Sequence, residues 1–251
     1  MKQTLQTLLV CCVMMVNAPL AKASEEVIIT TTNASEKKPG VLARMELPAF
    51  SGVYTDLVAS ITIEKGDKYL IEAQGPEDLI QLIEPVVKKE GGTLTLEAKK
   101  EYKIKDQGII IRIVTPRIDL IYNEGVGNIV TKGSFTTEMM TITNEGVGNI
   151  TIENIECGRM QVLNEGVGNV NLCGKATHTV LKSEGVGSIN AYEFKTENLN
   201  VELEGVGGVK CYVTERFTCK SEGVGHVYYM GEPKHTSIKS DGIGKVIPKK
   251  K

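Results

Sequence analysis

The stretch Asn-Glu-Gly-Val-Gly-Asn at 123–128 decides the fold, because close copies of it recur through the second half of the chain. Copies or variants stand at 144–149, 164–169, 183–188, 203–208, 221–226 and 240–245. The first glycines of successive copies are 18 to 21 residues apart. A fixed period near 20 is typical of a solenoid, in which each repeat is too small to bury an apolar face alone and must stack on its neighbours.

Apolar residues keep fixed positions around each copy of the motif. The fourth residue before and the fourth after the first glycine are apolar, as in Ile142 and Ile150. The positions after the motif alternate between apolar and mainly polar residues, which is the period of a strand with one buried face. We therefore predict an all-β, right-handed parallel β-helix with about 20 residues per turn and turns about 4.8 Å apart.

Gly-Val-Gly is predicted to form a corner of each turn, with its central valine or isoleucine packed into the core. The apolar positions at −4, +1 and +4 are separated by odd steps, so a strictly alternating strand cannot bury all three. Glycine tolerates positive φ and close backbone approach, which a corner requires. The predicted corner glycines are Gly125, Gly127, Gly146, Gly148, Gly166, Gly168, Gly185, Gly187, Gly205, Gly207, Gly223, Gly225, Gly242 and Gly244.

The rest of the chain is predicted to comprise a leader, a linker, an N-terminal portion and a tail. Residues 1–23 resemble a signal peptide, with Lys2, an apolar run and Ala21-Lys22-Ala23 before Ser24. Cys11 and Cys12 leave a lipid anchor open, although Val10 stands where a lipoprotein signal prefers a small residue. Residues 24–46 are expected to be a polar linker, and 249–251 a basic tail.

The N-terminal portion, 47–120, is predicted to be rich in strands and to cover the open end of the β-helix of 121–248. Its predicted strands are Val58–Ile63, Tyr69–Ala73, Thr93–Ala98 and Gly108–Thr115. A short capping helix is predicted at Pro76–Val87, where Leu79, Leu82 and Ile83 share one face.

Charge and composition limit the partners. Cleavage of the leader removes Lys2 and Lys22 and no acidic residue, so the net charge changes from −2 to −4. This balance gives no support for nucleic-acid binding. Nothing after residue 23 resembles a transmembrane segment. We expect no cofactor.

The chain resembles the head GIN domain family, whose members are named putative auto-transporter adhesins. The resemblance rests on Phe50-Ser51-Gly52-Val53, on Ile61–Asp67, on Gly75–Leu79, on Gly92–Leu96 and Ile111–Pro116, and on the repeated Gly-Val-Gly-Asn-Ile. It covers about 47–247. It implies a β-helical fold and secretion by a Gram-negative bacterium. An acid before every Gly-Val-Gly departs from the small polar residues expected there.

These acids predict a row of carboxylates, about 5 Å apart, along one edge of the stacked turns. We expect either a solvated edge or a site for a cation such as calcium. At a solvated edge, Lys182, Lys220 and Lys239 would offset part of the repulsion between the carboxylates. The row is Glu124, Glu145, Glu165, Glu184, Glu204, Glu222 and Asp241. Two asparagine columns are expected to be structural, with hydrogen bonds along each ladder, rather than to contact carbohydrate. They are Asn123, Asn144 and Asn164, and Asn128, Asn149 and Asn169.

Four cysteines remain after cleavage: Cys157, Cys173, Cys211 and Cys219. They are consistent with disulfides in an exported protein or with four small buried apolar side chains.

The sequence favours an exported, non-enzymatic binding module or adhesin of the cell envelope, located in the periplasm, on the outer membrane or outside the cell. Its expected ligand is a glycan or a protein, with self-association open. The alternatives are a polysaccharide-active β-helix enzyme, which needs a groove of convergent charged groups, and a purely structural protein with an uncovered end able to stack. An adhesin requires an exposed apolar or aromatic patch. The aromatic candidates are Tyr192, Phe194, Tyr212, Tyr228 and Tyr229.

Overall fold

The computed structural model describes residues 40–88, 92–99 and 108–249, of which 72% are in strands and 2% in a helix. The predicted leader, most of the predicted linker and the last two lysines lie outside these residues. The elements are β1 Gly40–Glu46, β2 Phe50–Thr55, β3 Ser60–Lys65, β4 Leu70–Pro76, α1 Glu77–Ile80, β5 Ile83–Lys88, β6 Gly92–Ala98, β7 Ile110–Thr115, β8 Leu120–Asn123, β9 Ile129–Asn144, β10 Ile150–Asn164, β11 Val170–Ser183, β12 Ile189–Leu203, β13 Val209–Ser221, β14 Val227–Met230, β15 His235–Ser240 and β16 Val246–Pro248.

The long strands β9 to β13 stack in parallel, each paired with the strand one turn away. Ile142, Val162 and Leu181, one turn apart in sequence, are direct partners in this ladder. The result is a β-solenoid of about 6 turns with a repeat of about 20 residues, so the predicted fold class is confirmed. The register of β10 shifts near the start of the strand, after Ile152, against both of its neighbours, as at a β-bulge.

The first turns of the solenoid do not follow chain order. Strands β2 and β3 lie between the turn formed by β6 and β7 and the turn that begins at β8. The N-terminal portion therefore continues the solenoid that the motif begins, and the Val58 backbone bridges to Val126 at the same corner.

Antiparallel strands cover the N-terminal end. Strand β4 pairs with β7 and with β1, and β5 pairs with β6. The predicted helix at Pro76–Val87 is wrong in extent, because α1 has only four residues and Ile83–Lys88 is a strand. A strand there satisfies the backbone groups along the edge of β6, which a helix would leave unpaired. Strand β1 also occupies the end of the predicted linker.

The prediction that the motif valines pack into the core is wrong. Most even-numbered positions relative to the first glycine face inward: Ile142, Asn144, Gly146 and Ile150 are buried, and Gly148 is partly buried. The inward and outward sides established before the motif are kept up to its first glycine, and the odd position of the valine faces solvent. Leu57 and Phe135 belong to the residues that fill the core instead, and both are almost fully buried.

Each motif glycine lies where a side chain would strike the preceding turn. A Cβ added to Gly166 would lie 2.1 Å from the carbonyl oxygen of Gly146. At Gly168 the corresponding distance to the Gly148 oxygen is 2.0 Å, and φ is +143°, which side chains disfavour. Close stacking of the corners therefore depends on both glycines.

Candidate functional site

The corner of the solenoid presents two parallel columns of side chains to solvent. The residue before each Gly-Val-Gly supplies a carboxylate and the central residue supplies an aliphatic group. Backbone hydrogen bonds hold successive corners in register: the amide of Val147 donates to the oxygen of Gly125 at 2.9 Å, and the amide of Gly127 donates to the oxygen of Val147 at 2.8 Å. The ladder places each side chain about 4.8 Å from its equivalent in the next turn.

The valine column is an exposed apolar stripe. From Val147 to Val224 the exposed fraction of each side chain is between 46% and 52%, and that of Ile243 is 75%. Each member forms a parallel bridge with the next. The column consists of Val126, Val147, Val167, Val186, Val206, Val224 and Ile243. A continuous apolar stripe of this length is uncommon on the surface of a protein that has no partner.

The carboxylate column lies beside it, at the predicted positions from Glu124 to Asp241. Two tyrosines donate hydrogen bonds to its first members: Tyr54 to Glu124 at 2.7 Å, and Tyr122 to Glu145. The bond to Glu145 raises the pKa of Tyr122 to about 12.

Lysines neutralise members farther along the same column, at the three positions that the sequence suggested. Lys182 contacts Glu184. Lys220 lies 2.8 Å from Glu222, and Lys239 lies 3.1 Å from Asp241. These lysines stand two residues before their partners, on the same face of the strand.

Glu165 and Glu184 are the members of the column whose titrations interact. A hydrogen bond between the two carboxyl groups raises the pKa of Glu165. The ammonium group of Lys182, followed by the bond to Glu165, lowers the pKa of Glu184. A proton held on Glu165 therefore relieves the repulsion between these neighbours.

The contacts of the column fit a solvated edge. Among the described residues, no group of three or more His, Cys, Asp or Glu side chains is placed to hold a metal ion. Cation binding by the column stays a prediction.

The asparagines before the acids face inward and form a buried ladder. The side-chain amide of Asn123 donates to Asn144, and that of Asn144 donates to Asn164, both at 2.8 Å. Asn128 and Asn149 lie on the solvent side of the motif. There the Asn128 side chain accepts a bond from the Asn149 backbone amide at 2.9 Å.

The aromatic candidates do not form the expected patch. Phe194 is only 1% exposed, so its prediction as a surface residue is wrong. The register shift after Ala191 changes the alternation, and Phe194 turns inward. Tyr229 packs against Phe217 with ring centroids 4.7 Å apart. Tyr192, Tyr212 and Tyr228 are partly buried.

The four cysteines among the described residues are free thiols, so the structure contains no disulfide between them. Cys211 and Cys219 are buried, and Cys157 and Cys173 are partly buried. Burial raises the pKa of Cys157 to about 11 and that of Cys219 to about 12. They therefore act as small apolar side chains. Cys11 and Cys12 lie outside the described residues.

Comparison with known proteins assigns the family. The family model described as putative auto-transporter adhesin, head GIN domain, matches residues 49–233. The chain belongs to this family. Within the described part of this head GIN domain protein, no helix is long and apolar enough to span a membrane.

Solved structures resemble this head GIN domain protein over most of its length. A putative adhesin from Bacteroides fragilis has 29% sequence identity and a TM-score of 0.80, and the match covers 85% of this chain and 98% of that one. A putative adhesin from Parabacteroides merdae has 16% identity and a TM-score of 0.59, covering 86% and 98%. A putative lipid binding protein from Parabacteroides distasonis has 18% identity and a TM-score of 0.60, covering 82% and 96%. The last two show the fold alone. No curated protein matches this chain.

Proposed function

We propose that this protein is an exported, non-enzymatic binding module of the cell envelope that acts as an adhesin. The observation that carries the proposal is the exposed valine column. Half-exposed aliphatic side chains at every turn give a partner an apolar surface that runs along the solenoid. The names of the family and of its solved members as putative adhesins support the same function.

The partner that best fits this surface is a protein that presents apolar side chains next to lysine or arginine. The valine column supplies the apolar contact and the carboxylate column beside it supplies complementary charge. Glu145 and Glu165 flank Val147 and Val167 at the same turns and are exposed. An ordinary protein interface combines an apolar centre with a charged rim in this way.

The signal-peptide-like features of residues 1–23 support export, and we propose delivery across the inner membrane of a Gram-negative cell. The test uses the protein from Ser24 onward on an array of immobilised extracellular matrix proteins. We expect binding to at least one protein, weakened by added salt because exposed charges are screened.

Replacing Val147, Val167 and Val186 together by threonine tests the surface directly. Threonine keeps the branched shape and removes apolar contact, so we expect an unchanged Tm and a loss of binding of about threefold or more. The matched control replaces Val86 and Ile110, exposed apolar residues away from the corner, by threonine. The proposal fails if no protein on the array binds, or if the triple variant binds as well as the control.

A further inference from the structure

A second surface, away from the corner, has the chemistry of a binding site. A shallow groove of about 360 Å³ crosses strands β10 to β13. One row of its lining consists of Arg159, His178, Asn198 and Arg216, which are direct ladder partners in successive turns. We call this surface the arginine groove. It runs along the solenoid axis, so a ligand lying in it would cross the strands.

A second row lies two residues farther along each strand and completes the groove. It contains Gln161, Val180, Asn200 and Thr218. The two rows together provide guanidinium groups, an imidazole, amides, a hydroxyl and one aliphatic side chain. The lining of the groove contains no acidic residue.

In the described part of the chain, no ion pair neutralises the positive charge of the groove. Among the described residues, neither Arg159 nor Arg216 forms an ion pair, although both are exposed. The two arginines are three turns apart, about 14 Å. The member of the carboxylate column that follows Arg159 is Glu165, six residues farther along the chain, about 20 Å along an extended strand. One carboxylate lies at the edge of the groove, where the side-chain amide of Asn200 donates to Glu202 at 3.1 Å, but the carboxylate column itself is a separate face.

We infer that the arginine groove binds a linear anionic polysaccharide whose carboxylate or sulfate groups pair with Arg159 and Arg216. A guanidinium group binds such oxyanions through paired hydrogen bonds. The amides of Gln161 and Asn198 supply both donors and acceptors for the hydroxyl groups between the charges. A straight groove along the solenoid axis fits an extended chain better than a compact ligand.

The composition of the groove favours a polysaccharide over a nucleic acid. Single-stranded nucleic acids bind surfaces that combine many cations with aromatic rings for base stacking. No Phe, Tyr or Trp lines the groove, in which the imidazole of His178 is the one aromatic ring, and the chain has a net charge of −2.

The test measures binding of the purified protein to three oligosaccharides of similar length at low salt. Oligogalacturonate carries carboxylates, a heparin fragment carries sulfates as well, and a dextran oligomer is neutral. We expect one or both anionic chains to bind, with affinity that falls as salt rises. The relative affinities of the two anionic chains distinguish carboxylate from sulfate recognition. Equal binding of dextran, or no binding of either anionic chain at millimolar concentration, overturns the inference.

Two double variants with the same net charge distinguish binding in the groove from a general effect of charge on affinity. Replacing Arg159 and Arg216 by glutamine should weaken binding at least tenfold. The control replaces Arg44 and Arg117, which lie outside the groove, by glutamine and makes the same change in net charge. The control should stay within twofold of the parent. An equal loss in both variants, or tighter binding of a single-stranded oligonucleotide of equal charge, contradicts the inference.

This site is independent of the proposed protein contact at the corner. The variant with threonine in place of Val147, Val167 and Val186 should retain full affinity for the anionic chain. If that variant loses the polysaccharide, the ligand occupies the corner and the arginine groove is not its site.

Discussion

At the residue scale, the buried Asn144 shows how the protein tolerates polar side chains in its core. Its amide group donates to Asn164 and its oxygen accepts from Asn123, so both of its polar ends have partners. The ladder stops at Ser183, whose buried hydroxyl has no hydrogen-bond partner among the described residues. In the following turn the same position holds the fully buried Leu203. The position thus accepts either a paired amide or an aliphatic group.

The ladder predicts opposite effects for two substitutions. Asn144→Leu keeps the size of the side chain but leaves a donor of Asn123 and an acceptor of Asn164 unpaired. We expect a loss of about 2–4 kcal/mol in the free energy of unfolding. Ser183→Ala removes the unpartnered hydroxyl and should be neutral or stabilising by up to about 1 kcal/mol. Urea unfolding measures both, and equal costs for the two changes would argue against an energetic role for the ladder.

At the scale of the structural element, the carboxylate column is a row of like charges stabilised by its surroundings. In the first turns, Tyr54 and Tyr122 donate hydrogen bonds to the carboxylates. In later turns, Lys182, Lys220 and Lys239 form ion pairs with them. Between these groups Glu165 contacts another carboxyl group. Glu165 is therefore the member at which the column is most sensitive to pH.

The raised pKa of Glu165 fixes the sign of that sensitivity. Between its ordinary value of 4.5 and its raised value, the folded state binds more protons than the unfolded state, so stability falls as pH rises. Glu165→Gln removes this loss of stability at higher pH. The Tm of the variant should exceed that of the parent by about one or two degrees at neutral pH, and the difference should shrink towards pH 4.5.

Glu222→Gln is the matched control for the column, because it removes an acid that is paired with Lys220. It should leave the Tm unchanged or slightly lower at neutral pH. A Tm gain as large as that of Glu165→Gln would show that net charge, rather than the contact with Glu184, governs the stability of the column.

The repeat made the solenoid, its period and its columns predictable, since the 20-residue spacing aligns every position of the motif. Hydrophobicity alone did not predict that the motif valines face solvent rather than the core. Following the alternation from Ile142 through Asn144 to Gly146 would have placed Val147 outside. The arginine groove also left a signal, because Arg159, His178, Asn198 and Arg216 all stand seven residues before a motif glycine. Chain order gave no sign that β2 and β3 lie between later strands.

At the scale of the whole molecule, the two ends of the solenoid differ. The N-terminal end is covered by antiparallel strands and by α1, whose Leu79 and Ile80 are buried. The C-terminal edge is formed by β15, which contains Lys239, and by β16, which contains Pro248. Lysine and proline on an edge strand oppose the addition of further strands. Both ends therefore disfavour end-to-end stacking, and self-association stays a prediction.

A stack of turns also predicts that one substitution has different effects in the middle and at the end. Gly168 and Gly244 both have positive φ and both lie against the backbone of the preceding turn. Gly168→Ala disturbs a turn with neighbours on both sides and should cost about 3 kcal/mol or more. Gly244→Ala disturbs only the last turn and should cost less than about 1 kcal/mol, through local opening.

Hydrogen exchange distinguishes these outcomes, because local opening at Gly244 should expose only the amides of β15 and β16. Gly108→Ala is the control, since an added Cβ would meet only Pro76 at an ordinary 3.4 Å. Similar global losses for Gly168→Ala and Gly244→Ala would contradict a model in which each turn is stabilised mainly by its neighbours.

The regularity of the valine column has a statistical consequence. A partner with the same period can shift by one turn and meet an almost identical surface, so the complex has several nearly equivalent registers. About six registers contribute roughly 1 kcal/mol through RT ln n, without any additional contact. A bound partner can also move between registers without complete release, and loss of a single valine leaves most registers intact. Recognition by such a surface is tuned by the number of turns rather than by any one residue.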